Sequence, residues 1–408
     1  MAFQQGLSGL NAASKSLDVI SNNVANSGNV GFKSGTTLFN DVYAAALNGA
    51  ASGVQVGIGT AVGAVAQQFS QGNITPTNNP LDIAINGNGF FRVSGQGTIA
   101  YTRNGQFDVD KDGFVTSASG YRLTGYPADA SGNILPASPI ELQINTSDLQ
   151  PQPSATVEVG LNLDSRETAP ATSPFSATDP TSYNASTSVT LYDSLGNSHI
   201  LTTYFVKTAT GGQWNLHTQL DGAAAVASSS NPITFNGAGA LTANATHSLS
   251  LTIPASYGAN SPQAVTLDFT GSTQFGSAFG VNRQSQDGYA SGRLTGVTIS
   301  STGILQGRYS NGQSRDLGQV VLANFASPNG LLSLGNNLWG EAPDSGQPLV
   351  GAPGSSSLGL LSAGAVEESN VDLTAELVNM ITQQRAYQAN AQSIRTQDQI
   401  LQTLVNLR

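Results

Sequence analysis

The chain has 408 residues and a net charge of −10, with only 10% charged residues against roughly 25% in typical soluble domains. Its lysines, Lys15, Lys33, Lys111 and Lys207, lie far apart and its arginines are scattered, so no basic patch is on offer to a nucleic-acid backbone. The absence of cysteine excludes disulfides, thiolate catalysis and Cys-ligated metals, and no run approaches the ~20 apolar residues that a membrane-spanning helix needs.

Residues 2–27 predict a first helix. Phe3, Leu7, Leu10, Ser14, Leu17, Ser21 and Val24 recur at alternating steps of four and three, the seam spacing of a coiled coil. The helix runs out in Asn22-Asn23-Val24-Ala25-Asn26-Ser27-Gly28, poor helix formers closing on glycine. Residues 31–70 read as a connector of weak regular structure, with a short helix expected at Phe39–Leu47 and strand-like alternation at Val54, Val56 and Ile58.

From Ile74 the pattern turns to β. Asn86-Gly87, Asn104-Gly105, Asp112-Gly113 and Ser119-Gly120 punctuate short apolar runs, the texture of successive hairpins. It returns at Arg293–Ile299, Gly303–Leu305 and Val320–Leu322. Between them a Ser/Thr/Ala-rich segment, 148–284, opens on Pro151 and Pro153 and carries its own strand candidates at Val189–Tyr192, Thr203–Val206, Leu249–Ile253 and Val265–Phe269. After a loop-rich stretch, 340–366, a last helix with Asp372 as N-cap carries the seam Leu373, Leu377, Met380, Gln384, Tyr387, Ala391, Ile394, Asp398, Leu401 and Val405.

The expected fold is therefore mainly β with α-helical termini. Residues 1–30 and 366–408 form a paired coiled-coil domain, 31–70 a connector, 71–147 and 285–365 an inner β domain, and 148–284 an outer β domain inserted in it. A short isolated helix is marginal in water, so both seams imply partners and a chain built to polymerise.

Chemistry is sparse. Asp108-Val109-Asp110-Lys111-Asp112-Gly113 opens like a calcium-binding EF-hand loop, but position twelve is Ser119 where a bidentate Glu is required. Between Phe107 and Phe114 it reads as a hairpin turn. Gly57–Gly63 lacks the strand–helix setting of a dinucleotide fingerprint. His199, His217 and His247 share no metal-ligand spacing. No catalytic, cofactor or metal site is expected.

Leu17-Asp18-Val19-Ile20-Ser21-Asn22-Asn23-Val24-Ala25-Asn26, followed by Val30-Gly31-Phe32-Lys33, resembles the N-terminal signature of the bacterial flagellar rod and hook proteins. So do Ser369–Leu373, Glu376–Ile381, Gln384–Asn390 and Thr396–Asp398 at the other end, and Asp82–Phe91 and Tyr101–Phe107 look like core hairpins of that family. Asn22, Asn23, Ala25, Asn26, Gly31, Phe32 and Lys33 are the motif positions. The length and the inserted domain point to the hook member over the shorter rod subunits.

The resemblance implies a non-enzymatic subunit of a curved, flexible tube that passes motor torque to the filament. Its partners would be copies of itself as a helical homopolymer, the hook cap, the distal rod, the hook–filament junction proteins and the flagellar type III export apparatus. It would be extracellular, in the flagellum, reached without a cleaved signal peptide or direct membrane insertion. Phe3, Leu7, Leu10, Leu17, Val24, Leu373, Leu377, Met380, Tyr387, Ile394, Leu401 and Val405 are the expected polymer interface. The terminal segments are expected to order on assembly. Two other readings fit the same sequence: a distal rod subunit, which would build a straight tube, and an extracellular β-rich adhesin or glycan-binding protein, which leaves the seams unexplained.

Overall fold

The computed structural model describes residues 2–42, 57, 59–223, 226–227 and 231–406. Helix α1 spans Ala2–Ala25 and helix α2 spans Leu373–Asn406, with strands between them. The chain divides into two compact units: Met1–Asn145 with Gly296–Arg308 and Ser314–Arg408, and Thr146–Thr295 with Tyr309–Gln313.

The first unit contains both helices. Where a connector was expected, strands β1 (Gly35–Val42) and β2 (Gly59–Gln67) form an antiparallel hairpin, so Phe39 to Val42 are extended and not helical. Tyr43–Leu47, Val54, Val56 and Ile58 lie outside the described residues. Thr60, Val62 and Val65 are β-branched, which suits a pleated strand, and a bulge between Leu38 and Phe39 shifts the register there. Strand β3 (Ile74–Pro76) pairs with Ala365–Glu367, so the supposed loop before α2 contains a strand. Ser314–Val320, Arg122–Pro127, Phe90–Gly95, Thr98–Thr102, Leu338–Gly340 and Leu332–Gly335 lie side by side in one sheet. Phe90, Tyr101, Phe325 and Trp339 form an aromatic core there. Phe69, just beyond β2, meets Phe90 and Trp339 edge-on at 5.3 and 5.5 Å and so anchors the hairpin to the sheet.

The second unit is a sandwich. One sheet carries Ala185–Tyr192, Ser198–Lys207, Gln213–Leu220, Ile233–Phe235 and Leu241–Ala243; the other carries Thr246–Leu251, Gln263–Asp268, Thr156–Asn162 and Gly280–Gln286. Alternate residues of both sheets enter one core around Trp214, Phe205, Phe269 and Leu163. Because Gly280–Gln286 pairs with Thr156–Asn162, the unit continues past residue 284 to Thr295. Its entering and leaving segments are joined by Leu149 N to Gly292 O at 2.7 Å and Gln152 N to Tyr289 O at 3.0 Å, and Tyr309–Gln313 return to the same unit.

The Asp108–Gly113 motif is a hairpin turn. Phe107–Val109 pairs with Val115–Ser117, and the Asp110 carboxylate accepts from the backbone of Asp112 and Phe114 at 2.9 and 2.8 Å. Gly113, at φ +86°, closes the turn where a Cβ would be strained. The same turn, with an Asp or Asn side chain capping it, recurs from Asp129, Asp193 and Asn236.

In the second unit Asp193 has a further role. His199 is buried, with Nδ1 2.6 Å from Asp221 Oδ2 and Nε2 3.3 Å from Asp193 Oδ2. Ionised carboxylates only accept, so facing two of them the ring can donate from both nitrogens only as an imidazolium. Burial works against that charge, but the bonds to Asp221 and Asp193 outweigh it and hold the ring above its ordinary value of 6.5. Burial likewise opposes the Asp193 charge, yet donors from Asn197, His199 and Leu195 hold it below 3.8. The histidine stabilises the unit below pH 6.5 and loses that effect as pH climbs through its raised value; Asp193 contributes above 3.8 and fades as pH falls through its lowered one. Trp214 lies in this unit and Trp339 in the other, so Trp214 fluorescence in a Trp339→Phe background reads its unfolding alone. Its stability should decline from pH 6 to 9, and His199→Asn should flatten that slope and cost about 1–3 kcal/mol near pH 6.

Candidate functional site: the junction of the chain ends

The candidate site is built where both ends of the chain meet the β strands of the first unit. Along α1 the buried positions include Gly6, Ala13, Ser16, Ile20 and Asn23. With Gly9 they form a stripe at steps of three and four, one residue ahead of the predicted Leu7, Leu10, Ser14, Leu17, Ser21 and Val24. This stripe meets α2: a Cβ on Gly6 would stand 2.9 Å from Ile394 Cγ1, and one on Gly9 2.7 Å from Asn390 Oδ1. Asn23 Nδ2 donates to Glu376 Oε1 at 2.8 Å. Small and polar residues, with Ile20 on the stripe and Ile394 opposite Gly6, thus make the intramolecular seam.

The large apolar residues of the predicted interface fall mostly elsewhere. Phe3, Leu7, Leu373, Leu377, Tyr387 and Leu401 are exposed, while Leu10, Leu17, Val24, Met380 and Ile394 are half-buried. The side chain of Val405 lies outside the described ones. Val378, Ile381 and Ile400, absent from the predicted stripe, are more than half exposed, at 58%, 52% and 54%. Asp372 caps α2, its Oδ1 accepting from Thr374 N and Ala375 N at 2.9 and 3.1 Å.

At the foot of α1 the motif residues do specific work. Asn23 exchanges two bonds with the backbone of Gly35, at 2.8 and 2.9 Å, as a neighbouring strand would. Asn26 donates back to Asn22 O at 2.9 Å and closes the helix. Ala25 is exposed and Phe32 half-buried. Gly31 adopts φ +70°, and a Cβ there would sit 2.5 Å from Asn104 N. Lys33 is fully buried. Its Nζ donates to Glu367 Oε1 at 2.6 Å and Ser70 O at 2.7 Å.

Glu367 is the centre of this junction. Its Oε2 accepts from Arg103 NH1 at 3.1 Å, its Oε1 also from Gly72 N at 2.9 Å, and its backbone carbonyl from Gly31 N at 2.7 Å. Three residues on, Asn370 accepts from Ser34 N at 2.8 Å and donates to Gln68 O at 2.7 Å. Burial lowers the Lys33 ammonium from its ordinary value; Glu367 pulls it back only in part, and Arg103 adds repulsion. The motif identified Lys33 but not its partners. Arg103 and Asn370 stood inside recognisable blocks with nothing to single them out, and Glu367 beside Glu368 looks like an ordinary surface pair. Among the described residues no group of three or more His, Cys, Asp or Glu is placed to hold a metal ion.

Comparisons with known proteins cover the same parts. Residues 3–33 match the family described as flagella basal body rod protein, 84–159 the flagellar hook protein FlgE/F/G D1 domain, 162–289 the flagellar basal body protein FlaE D2 domain, and 362–407 the flagellar basal body rod FlgEFG protein C-terminal. The chain is 43% identical over 413 residues to flagellar hook protein FlgE of Escherichia coli (strain K12), with 100% of both chains covered. It belongs to the flagellar hook protein FlgE family. FlgE of Borreliella burgdorferi is 35% identical over 445 residues, covering 100% of this chain and 99% of that one. The crystal structure of Helicobacter pylori flagellar hook protein FlgE2, 15% identical, matches with a TM-score of 0.50 over 72% of this chain and 99% of that one, a likeness of fold alone. The rod-family match ends at Lys33 and the C-terminal match spans Glu367, so these two members of the buried junction lie inside the two terminal family regions of this hook subunit, with Arg103 inside the D1 match.

Gly31→Ala forces a side chain into a positive-φ position against the Arg103–Asn104 backbone. It should destabilise the first unit by about 1–3 kcal/mol, read by Trp339 fluorescence in a Trp214→Phe background. Gly28→Ala, with nothing within 4 Å of its Cβ, should leave the same melt unchanged.

Proposed function

We propose that this hook-family subunit polymerises through its terminal helices into the curved, flexible tube of the flagellar hook, a universal joint between motor and filament. The observation that carries the reading is the exposure of large apolar residues on α1 and α2. Phe3, Leu7, Leu373, Leu377, Val378 and Ile381 all face solvent in a single chain, whereas the contacts between the helices, of Gly6 with Ile394, Gly9 with Asn390 and Asn23 with Glu376, involve mostly small or polar residues. A face of that kind is stable in water only when a neighbour covers it, and copies of the same pair are the natural cover. The helices beyond the junction would reach full order on assembly.

Sparse charge favours a joint that bends while rotating. Outer contacts between subunits would slide without breaking strong ion pairs, because few are available. The remaining parts of the proposal follow from family membership: export through the flagellar type III apparatus to the outside of the cell, growth under a cap, and contacts with the distal rod below and the hook–filament junction above. A structural role without catalysis fits the same picture.

Sedimentation and electron microscopy test the reading. The full chain should form curved tubes. Leu377→Asp, at a site 45% exposed, should abolish them while leaving the Trp339 and Trp214 melts of the single chain within about 0.5 kcal/mol. A destabilised first unit would mean that Leu377 belongs to the fold, and straight tubes would assign the chain to the rod.

A further inference from the structure

Two buried cations, Lys33 and Arg103, share one carboxylate that arrives from the far end of the chain. Lys33 and Glu367 are 334 positions apart, and Arg103 and Glu367 are 264 apart. Until residue 367 is in place, Lys33 and Arg103 approach the same interior with no counter-charge, and a buried cation without one is strongly disfavoured. The neighbouring ties point the same way. Gly31 N and Gly72 N donate to Glu367, Ser34 N donates to Asn370, and Asn23 donates to Glu376. Every one of these acceptors lies within ten positions at the root of α2.

We propose that Glu367 is a positioning residue that couples the two ends of the chain: the segment at the foot of α1 seats only when the C-terminal strand has docked. Both helices then leave the β strands of the first unit in one register. The proposal rests on the reading that the terminal helices carry assembly. The junction holds two positive groups and one negative, so its members are not equivalent. Removing the acid leaves two cations facing each other; removing Lys33 leaves a balanced Arg103–Glu367 pair. A junction that mattered only through packing would not make that distinction.

Amide exchange on the full-length single chain, with Gly31, Ser34 and Gly72 as reporters, separates these cases. Glu367→Gln should speed exchange at all three by about a hundredfold or more and prevent tubes of regular curvature. Lys33→Met should have a far smaller effect, and the double variant should exchange more slowly than Glu367→Gln alone. Trp214 fluorescence should show the second unit melting unchanged. Unchanged exchange in Glu367→Gln overturns the proposal. So do equal losses from Lys33→Met and Glu367→Gln without rescue, or normal tubes from a chain whose three amides are unprotected. If Glu367→Gln does not fold, Glu367→Asp keeps the charge at shorter reach and should exchange at an intermediate rate in a folded chain; failure to fold would overturn the charge argument. A native chain that forms no tubes refutes the assembly reading, and the exchange comparison then overturns or sustains the coupling by itself.

Discussion

The first unit depends on one carboxylate. Glu367 is fully buried between Lys33 and Arg103, and the β strands, the hairpin and both helix roots converge on it. A buried ion pair adds little net stability over apolar residues of the same shape, yet breaking one costs about 3–5 kcal/mol. Its effect is therefore selective: one arrangement of the two chain ends is tolerated, and others leave charge stranded. In a chain where only 10% of residues are charged, placing three of them in one dry junction is a concentrated use of electrostatics. Asn23 and Asn370 extend the same logic with neutral groups. Each satisfies backbone donors and acceptors that a loop so close to the core would otherwise leave unpaired.

The second unit is held by different means. Its sandwich core is apolar, and Asp193 and Asn236 cap two of its turns as Asp110 and Asp129 do in the first unit. His199, a buried cationic group, is clamped by two carboxylates of the same unit, of which Asp193 is itself buried. These ties join residues of the same unit, so the unit has its own reasons to fold.

Much of this was legible in the sequence, for identifiable reasons. Period-two strands and Gly-bearing turns show in local spacing, and so do helix ends, as Asp372 capping α2 illustrates. The β1–β2 hairpin was missed because Gly-rich, small-residue strands carry no apolar alternation; what fixes them is packing on α1, where Gly35 lies against Val19 and Gly59 against Ser8. The seam on α1 was displaced by one residue because apolarity was read as burial. Gly6, Gly9 and Ser16 do not look like contact residues until a second helix lies against them. Glu367 was invisible for a deeper reason: its partners stand hundreds of positions away, and nothing near it in sequence distinguishes a buried carboxylate from a solvated one.

That displaced seam is also what relates the fold to assembly. If Leu7, Leu373, Leu377 and Leu401 lay between the two helices, the pair would satisfy itself and present a polar exterior with nothing to recruit. With glycine, alanine and asparagine inside, the helices approach closely and in a defined register, since a polar seam residue such as Asn390 discriminates alignment more than it stabilises. The apolar side chains are then displayed together on the outside. On the proposed reading, a neighbouring copy would gain the burial that the pair leaves unused. The junction at Glu367 completes this division of labour. In the proposed assembly it would fix where the two helices start, so that every subunit would present its exposed apolar residues in the same geometry, the condition a helical polymer places on its repeating part.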